Sequence, residues 1–233
     1  GRLARFEREA RTVAALSHPN IVVLYSVDDE GDVRFLTMEL VEGQSLDRHV
    51  TPGGLPLARV LEIGIALSDA LTAAHEKGVV HRDLKPENIF LVRTRGGQAH
   101  PKVLDFGISA AHGALDAGDG VKGTWGYMSL EQAEQRDVGP AADVFGVAAV
   151  LYELAALAPL FPEKEPDAIR EALRTDQAAR RAAALGGPYG ELGGVLVRAL
   201  QRDPAARHRG AASFGRVLST LVPDPVGIHD ALT

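Results

Sequence analysis

Cysteine is absent from this chain of 233 residues. That excludes a disulfide framework, a cysteine nucleophile and a thiolate metal site. Lysine is scarce: it supplies 5 of the 25 basic residues and arginine the rest. With abundant alanine, that bias points to a GC-rich bacterial genome and carries no chemistry. Neither charge sign dominates, and the net charge of −6 weighs lightly against a dedicated nucleic-acid binder. The 8 histidines are scattered without metal-ligand spacing. An initiator methionine is missing too. The chain opens on Gly1, its first residues already read as the middle of a helix, and no signal peptide precedes them, so the natural protein is expected to be longer. There is no internal repeat. What is present suits a globular domain: 45% hydrophobic residues, a mean hydropathy of −0.02, and enough length to bury a sizeable core.

A single long hydrophobic run stands out. Val144 to Phe161 is apolar apart from Glu153 and reaches the ~18-residue threshold for a membrane span. It also contains Gly146 and Pro159, and a buried central helix is the better reading. Upstream, residues 1–17 carry Leu3, Phe6, Ala10, Val13 and Leu16 at helical spacing, stopped by Ser17-His18-Pro19-Asn20. Residues 21–27 and 33–41 are β-rich, and the turn formers Asp28 to Asp32 between them predict an antiparallel hairpin. From Ser45 the pattern is mostly helical. Leu57, Leu61, Gly64, Leu67, Leu71 and Ala74 line one face of a long helix, with Gly78 as its stop. The runs Ile89–Val92 and Val103–Leu104, around Gly96-Gly97, predict a second hairpin, and residues 107–123 a long loop. Helical patterns return from Leu130 to Leu221, and 222–233 read as a tail or linker. The pattern is α+β: a small helix-plus-strand piece, residues 1–42, then a large mainly helical piece, residues 43–221, hinged near Glu42-Gly43.

The sharpest signal is His81-Arg82-Asp83-Leu84-Lys85-Pro86-Glu87-Asn88. Asp105-Phe106-Gly107 follows 17 residues after Asn88. Then come Gly123-Thr124, Tyr127-Met128-Ser129-Leu130-Glu131 and Asp143-Val144-Phe145-Gly146. Singly, Asp83, Asn88 and Asp105 would read as loop caps and turn formers. In this order and spacing they resemble the eukaryotic-like serine/threonine protein kinases, most closely the bacterial ones, over nearly the whole chain from Leu3 to Leu221.

The resemblance implies a bilobal kinase fold and ATP- and Mg²⁺-dependent transfer of phosphate to Ser or Thr hydroxyls of a protein substrate. Phosphoryl transfer asks mainly for positioning and charge neutralisation. In the family's terms Asp83 accepts the substrate hydroxyl proton, Lys85 sits near the transferred phosphate, and Asn88 and Asp105 give Mg²⁺ hard oxygen ligands. Thr124 hydrogen-bonds Asp83 and Lys85. Glu9, with Glu7 as a competitor, matches the helix glutamate that pairs with a nucleotide-binding lysine. Met38 takes the gatekeeper place, the backbone of Glu39 and Val41 bonds adenine, and Phe90 and Leu104 line the adenine pocket. Val13, Leu24, His81 and Phe106 match the stack between lobes, so His81 reads as a core histidine. Glu131 and Arg207 match a buried ion pair, and Asp143, opening the central helix from Val144 to Leu157, bonds the catalytic-loop backbone. Arg82 normally pairs with a phosphorylated loop residue.

Several features depart from the family. Gly118 to Gly123 fits a Gly-x-Gly-x-x-Gly pattern but follows no strand and opens no helix, so it reads as loop. No Gly-rich loop or strand lysine lies upstream of Glu9, which implies an N-terminally truncated kinase that, as given, binds MgATP poorly and turns over little. About three strands of the small lobe are missing on this reading, and an unpaired strand edge is an association hazard that leaves a homodimer possible. Ser129-Leu130-Glu131 replaces the usual small-Pro-Glu, and Trp125 stands where relatives often have Pro. Between Gly107 and Gly123 the sole hydroxyl is Ser109, so phosphorylation switching of this loop is expected to be absent or atypical, with Asp116 or Asp119 as a standing charge for Arg82. The resemblance places the domain in the cytoplasm, on its own or as part of a longer membrane-anchored protein if a helix follows Thr233. Nucleic acid is not an expected partner. The competing readings are a non-catalytic kinase-like scaffold and a small-molecule phosphotransferase, which should lack the Lys-Pro-Glu run and the Glu131–Arg207 pair.

Overall fold

The computed structural model describes residues 12–31, 33–50, 55–93, 99–106 and 124–223. Residues 12–14 are helical, in keeping with the predicted first helix, most of which lies outside the described residues, as do Glu9, Gly107, the Gly118–Gly123 run and the 224–233 tail. Strands β1 (Leu24–Glu30) and β2 (Val33–Met38) form an antiparallel hairpin. The expected strand bounds of 21–27 and 33–41 need correction. β1 runs on through Asp28, Asp29 and Glu30, which pair with Phe35, Arg34 and Val33. The turn is therefore tight, and Gly31 enters it at φ 62, the positive φ that short hairpin turns require. Acidic side chains fit strand positions here because β1 is exposed beyond its first turn.

Strand β3 (Gly43–Ser45) pairs with β4 (Ile89–Arg93), which pairs with β5 (Ala99–Val103), all antiparallel. The second hairpin is thus present, with its return strand ending at Val103 instead of Leu104. Its free edge is met by the segment after His18-Pro19: Val103 N donates to Asn20 O (2.9 Å) and Val22 N to Val103 O (3.0 Å). Asn20 Nδ2 adds a bond to Pro101 O at 2.7 Å.

Helix α1 (Leu57–Glu76) buries Leu61, Ile63, Leu67, Leu71 and Ala74 completely. Gly78, at φ 74, ends it by donating to His75 O. After the short turn α2 (Leu130–Ala133) comes α3 (Pro140–Ala156), packed against α1. α3 starts four residues before the expected Val144, because Pro140 pre-sets the first helical position and needs no hydrogen-bonded N–H there. The long apolar run is a buried helix: Val144, Ala148, Val150 and Leu151 have no exposure at all, each large side chain contributing about 1.5–3 kcal/mol. No helix among the described residues is long and apolar enough to cross a membrane. The remaining helices are α4 (Pro166–Arg174), α5 (Gln177–Ala183), α6 (Gly190–Ala199) and α7 (Ala211–Ser219), with α6 and α7 closing over α1 and α3.

Candidate active site

The loop from Val79 to Asn88 is held from below by one carboxylate. Asp143, in the first turn of α3 and 1% exposed, accepts from His81 N (2.8 Å), Arg82 N (2.9 Å) and His75 Nε2 (2.7 Å). Those bonds accompany Arg82 at φ 68, a left-handed conformation that a side-chain-bearing residue adopts only when its surroundings hold it. The His81 ring is buried and has one consistent tautomer. Nε2 donates to Leu104 O (2.8 Å) and Nδ1 accepts from Asp83 N (3.2 Å). Burial pushes its pKa below the ordinary 6.5, outweighing the Asp143 charge. Its ring meets Phe106 edge-on at 4.7 Å. Val13, Leu24 and Phe106 are all buried in the same core.

Above this base the polar side chains converge. Asp83 Oδ2 takes Lys85 Nζ at 2.9 Å and Asn88 Nδ2 at 3.0 Å, and Asn88 Nδ2 also donates to Asp83 O at 2.9 Å. Asp83 Oδ1 is buried and has no hydrogen bond among the described residues. The hairpin brings in Asp105. Ile89 lies opposite Val103, Leu104 N donates to Asn88 O (2.9 Å), and Asp105 follows at φ 57 with its side chain exposed. Residues 17 apart in sequence therefore sit across a strand pair from each other. Asn88 turns its amide N–H toward Asp83, which leaves its Oδ1 as the side chain's remaining acceptor. Among the described residues no three His, Cys, Asp or Glu gather to hold a metal by themselves. Mg²⁺ needs no such cage, because phosphate and water oxygens fill most of its shell.

The strand leading out of the hairpin forms the second wall. Met38 is partly exposed and Leu40 almost wholly so, at 88%. Phe90 and Leu104 are half-buried. Glu39 N donates to Val23 O (2.8 Å), so of its backbone groups the carbonyl is the one left for a ligand, alongside Val41. The Glu39 carboxylate is gripped by Lys102 Nζ at 2.5 and 2.6 Å, which lowers its pKa against the opposing effect of burial.

The segment from Thr124 onward reaches the Asp83 loop through Gln132. Thr124 begins a short 3-10 turn, Thr124–Tyr127, and its side chain lies outside the described residues. Trp125 is covered by the Arg170 guanidinium, 5.5 Å from the ring centroid. Tyr127 OH donates to Glu153 Oε2 at 2.5 Å. Burial raises the pKa of both groups, and the nearby carboxylates of Glu87 and Asp47 add to it. Leu130, in place of proline, is buried at the first position of α2, a place that accepts proline and other residues alike. Glu131 and Arg207 form a two-pronged pair at 2.7 and 2.9 Å, with Arg207 side chain exposure of 0%. The other Arg207 N–H groups reach the carbonyls of Gln201, Ala141 and Arg202.

Of the residues singled out from sequence, His81, Asp83, Lys85, Asn88, Leu104, Asp105 and Asp143 come together. Glu131–Arg207 forms a separate buried anchor, and Glu9, Gly107 and the Thr124 side chain lie outside the described residues. Sequence reasoning missed His75, Lys102 and Gln132. Gln132 directly follows the last motif residue, Glu131, and its Nε2 donates to Arg82 O at 2.6 Å.

Residues 2–207 match the family model described as the protein kinase domain. A probable serine/threonine-protein kinase of Streptomyces coelicolor is 36% identical over 242 residues, covering 98% of this chain and 35% of the relative. The serine/threonine-protein kinase PknB of Mycobacterium tuberculosis is 33% identical over 221 residues, covering 90% of this chain and 34% of PknB. This chain thus spans about a third of the length of these curated relatives. The crystal structure of the Mycobacterium tuberculosis PknI kinase domain is similar at a TM-score of 0.72 and 26% identity, covering 94% of this chain and 78% of that one.

Proposed function

The chain belongs to the protein kinase domain family, alongside bacterial serine/threonine kinases, and from that premise we propose that it transfers the γ-phosphoryl group of ATP to serine or threonine hydroxyls of a protein. The observation that carries this reading is the Asp83 carboxylate: Oδ2 is held by Lys85 and Asn88, while buried Oδ1 has no bond among the described residues. A buried oxygen without a donor is costly unless something brings one. An incoming hydroxyl fits that need. Asp83 orients it and accepts its proton as the oxygen attacks phosphorus, and the diphosphate leaves with the bond electrons.

Lys85, shared with Asp83, lies where a cation offsets charge on the transferred group. Asn88 Oδ1 and the Asp105 carboxylate are the groups that would hold Mg²⁺, which when bound neutralises phosphate charge. Glu39 O and the Val41 backbone face the adenine edge, with Phe90, Met38 and Leu104 around the ring. Glu131–Arg207 fixes the end of the substrate segment. Residues 1–42 and 43–221 act as the two lobes, with 222–233 as a tail or linker, and ATP use puts the domain on the cytoplasmic side of any membrane.

The test is incubation of the full-length protein with MgATP and Ser/Thr-containing protein, followed by phosphoamino-acid analysis. Phosphoserine or phosphothreonine that disappears with Asp83→Asn is expected. Turnover unaffected by that change would overturn the assignment.

A further inference from the structure

Gln132 makes a contact that its position in the fold does not require. It is the third residue of α2, after Ser129, and its Oε1 accepts from Ser129 N (3.2 Å) and Ser129 Oγ (3.1 Å). That is ordinary capping, which glutamate performs as well as glutamine at this place. The amide nitrogen does something else. Nε2 reaches 50 residues back in sequence to donate to Arg82 O at 2.6 Å. Only a side chain with an acceptor at one atom and a donor at the other makes both contacts.

The carbonyl it holds belongs to the peptide plane immediately before Asp83. The opposite edge of that plane, Asp83 N, donates to His81 Nδ1 at 3.2 Å. The preceding amide, Arg82 N, donates to Asp143 Oδ1 at 2.9 Å, and Arg82 sits at φ 68. Left-handed backbone at a non-glycine residue is strained and relaxes unless its peptide groups are restrained. Rotation of this plane would swing the Asp83 Cα–Cβ bond, moving Oδ1 relative to the substrate hydroxyl.

We propose that Gln132 is a positioning residue: its Nε2–H pins the Arg82–Asp83 peptide plane and thereby aims Asp83, coupling the end of the substrate segment to the base. This rests on the kinase reading for its catalytic consequence, but the clamp itself does not. A second consequence is directional. Ser129 and Gln132 belong to α2 and its cap, so any displacement of that turn loosens the Asp83 peptide at the same time.

The test uses Gln132→Glu, which keeps the capping acceptor and removes the donor, beside Gln132→Met, which removes both, in the full-length protein. Expected for both is a fall in kcat of about tenfold, of the kind small misplacements of a reacting group produce. KM for ATP and for peptide should stay within about twofold, and Gln132→Glu should remain folded at the assay temperature. A merely structural role predicts instead that Gln132→Glu behaves as wild type and that losses follow stability. Amide hydrogen exchange over residues 79–88 reads the clamp without turnover, and both variants should exchange several-fold faster there. Exchange unchanged in Gln132→Glu overturns the proposal, whether or not the protein phosphorylates anything. Absence of turnover in the wild type with exchange accelerated in the variants would count against the kinase reading and leave the clamp standing.

Discussion

The backbone of the loop from Val79 to Asn88 is tied to partners far away in sequence, whereas along the β1–β2 hairpin it is the apolar side chains that stand in solvent. Asp143 alone collects bonds from His75, His81 and Arg82, and Arg207 places its guanidinium against Glu131 and three carbonyls. In the hairpin and just after it, Tyr25, Val33 and Leu40 are 66%, 65% and 88% exposed. The difference teaches where conformational precision resides. A loop that holds Arg82 at positive φ needs convergent restraints, since arginine does not favour that backbone, whereas Asp105 is of a residue type that enters it more readily. A two-stranded hairpin needs only its turn and its ladder, and is marginal without neighbours.

The comparison breaks first at Arg207. Arg207→Ala leaves Glu131 buried and unpaired, so unfolding free energy by chemical denaturation should fall by about 3–5 kcal/mol. A loss under about 1 kcal/mol would mean that the anchor is not dry. Next comes Asp143→Asn, which turns one acceptor into a donor facing His81 N and His75. It should cost about 1–3 kcal/mol and lower kcat, because the catalytic-loop backbone loses its base.

A smaller effect is expected from acid. Burial holds the His81 and His208 pKa values below the ordinary 6.5, so the folded protein resists protons that the unfolded chain accepts. Above pH ~6.5 the groups are neutral in both states and contribute no slope. As pH falls from there toward the lower folded-state values, stability declines. Denaturation midpoints between about pH 7.5 and 5.5 should fall monotonically, and a rise would contradict the neutral, buried assignment. Least of all should the exposed segment just after the hairpin respond: Leu40→Ser should stay within about 0.5 kcal/mol of wild type. A larger loss would show that this face is covered in the full-length protein.

Much of this architecture is legible in sequence. The α1 stripe, the Gly78 stop and the paired runs around β4 and β5 are local signals, and the loop motifs name Asp83, Asn88 and Asp105 directly. Glu131 and Arg207 are found through their motifs although 76 residues separate them. What escaped is set by tertiary placement. Lys102 reads as an exposed strand lysine until the β4–β5 hairpin brings it to Glu39, 63 residues away. His75 reads as a helix-end histidine until α3 presents Asp143 beneath it. Strand β1 was misplaced because Asp28, Asp29 and Glu30 carry turn propensity, which an exposed strand tolerates and a tight glycine turn overrides. Positive φ at Arg82 has no compositional sign at all.

On the proposed function, Asp83, aimed by these restraints, is the base of a phosphoryl transfer. The most direct measurement compares wild type and Asp83→Ala in the full-length protein, reading the rate of MgATP-dependent phosphorylation together with the unfolding midpoint. Phosphorylation should fall by about 10²–10⁴-fold with the midpoint unchanged. A variant that phosphorylates within a few-fold of wild type, or one that loses activity only because it unfolds, would contradict it.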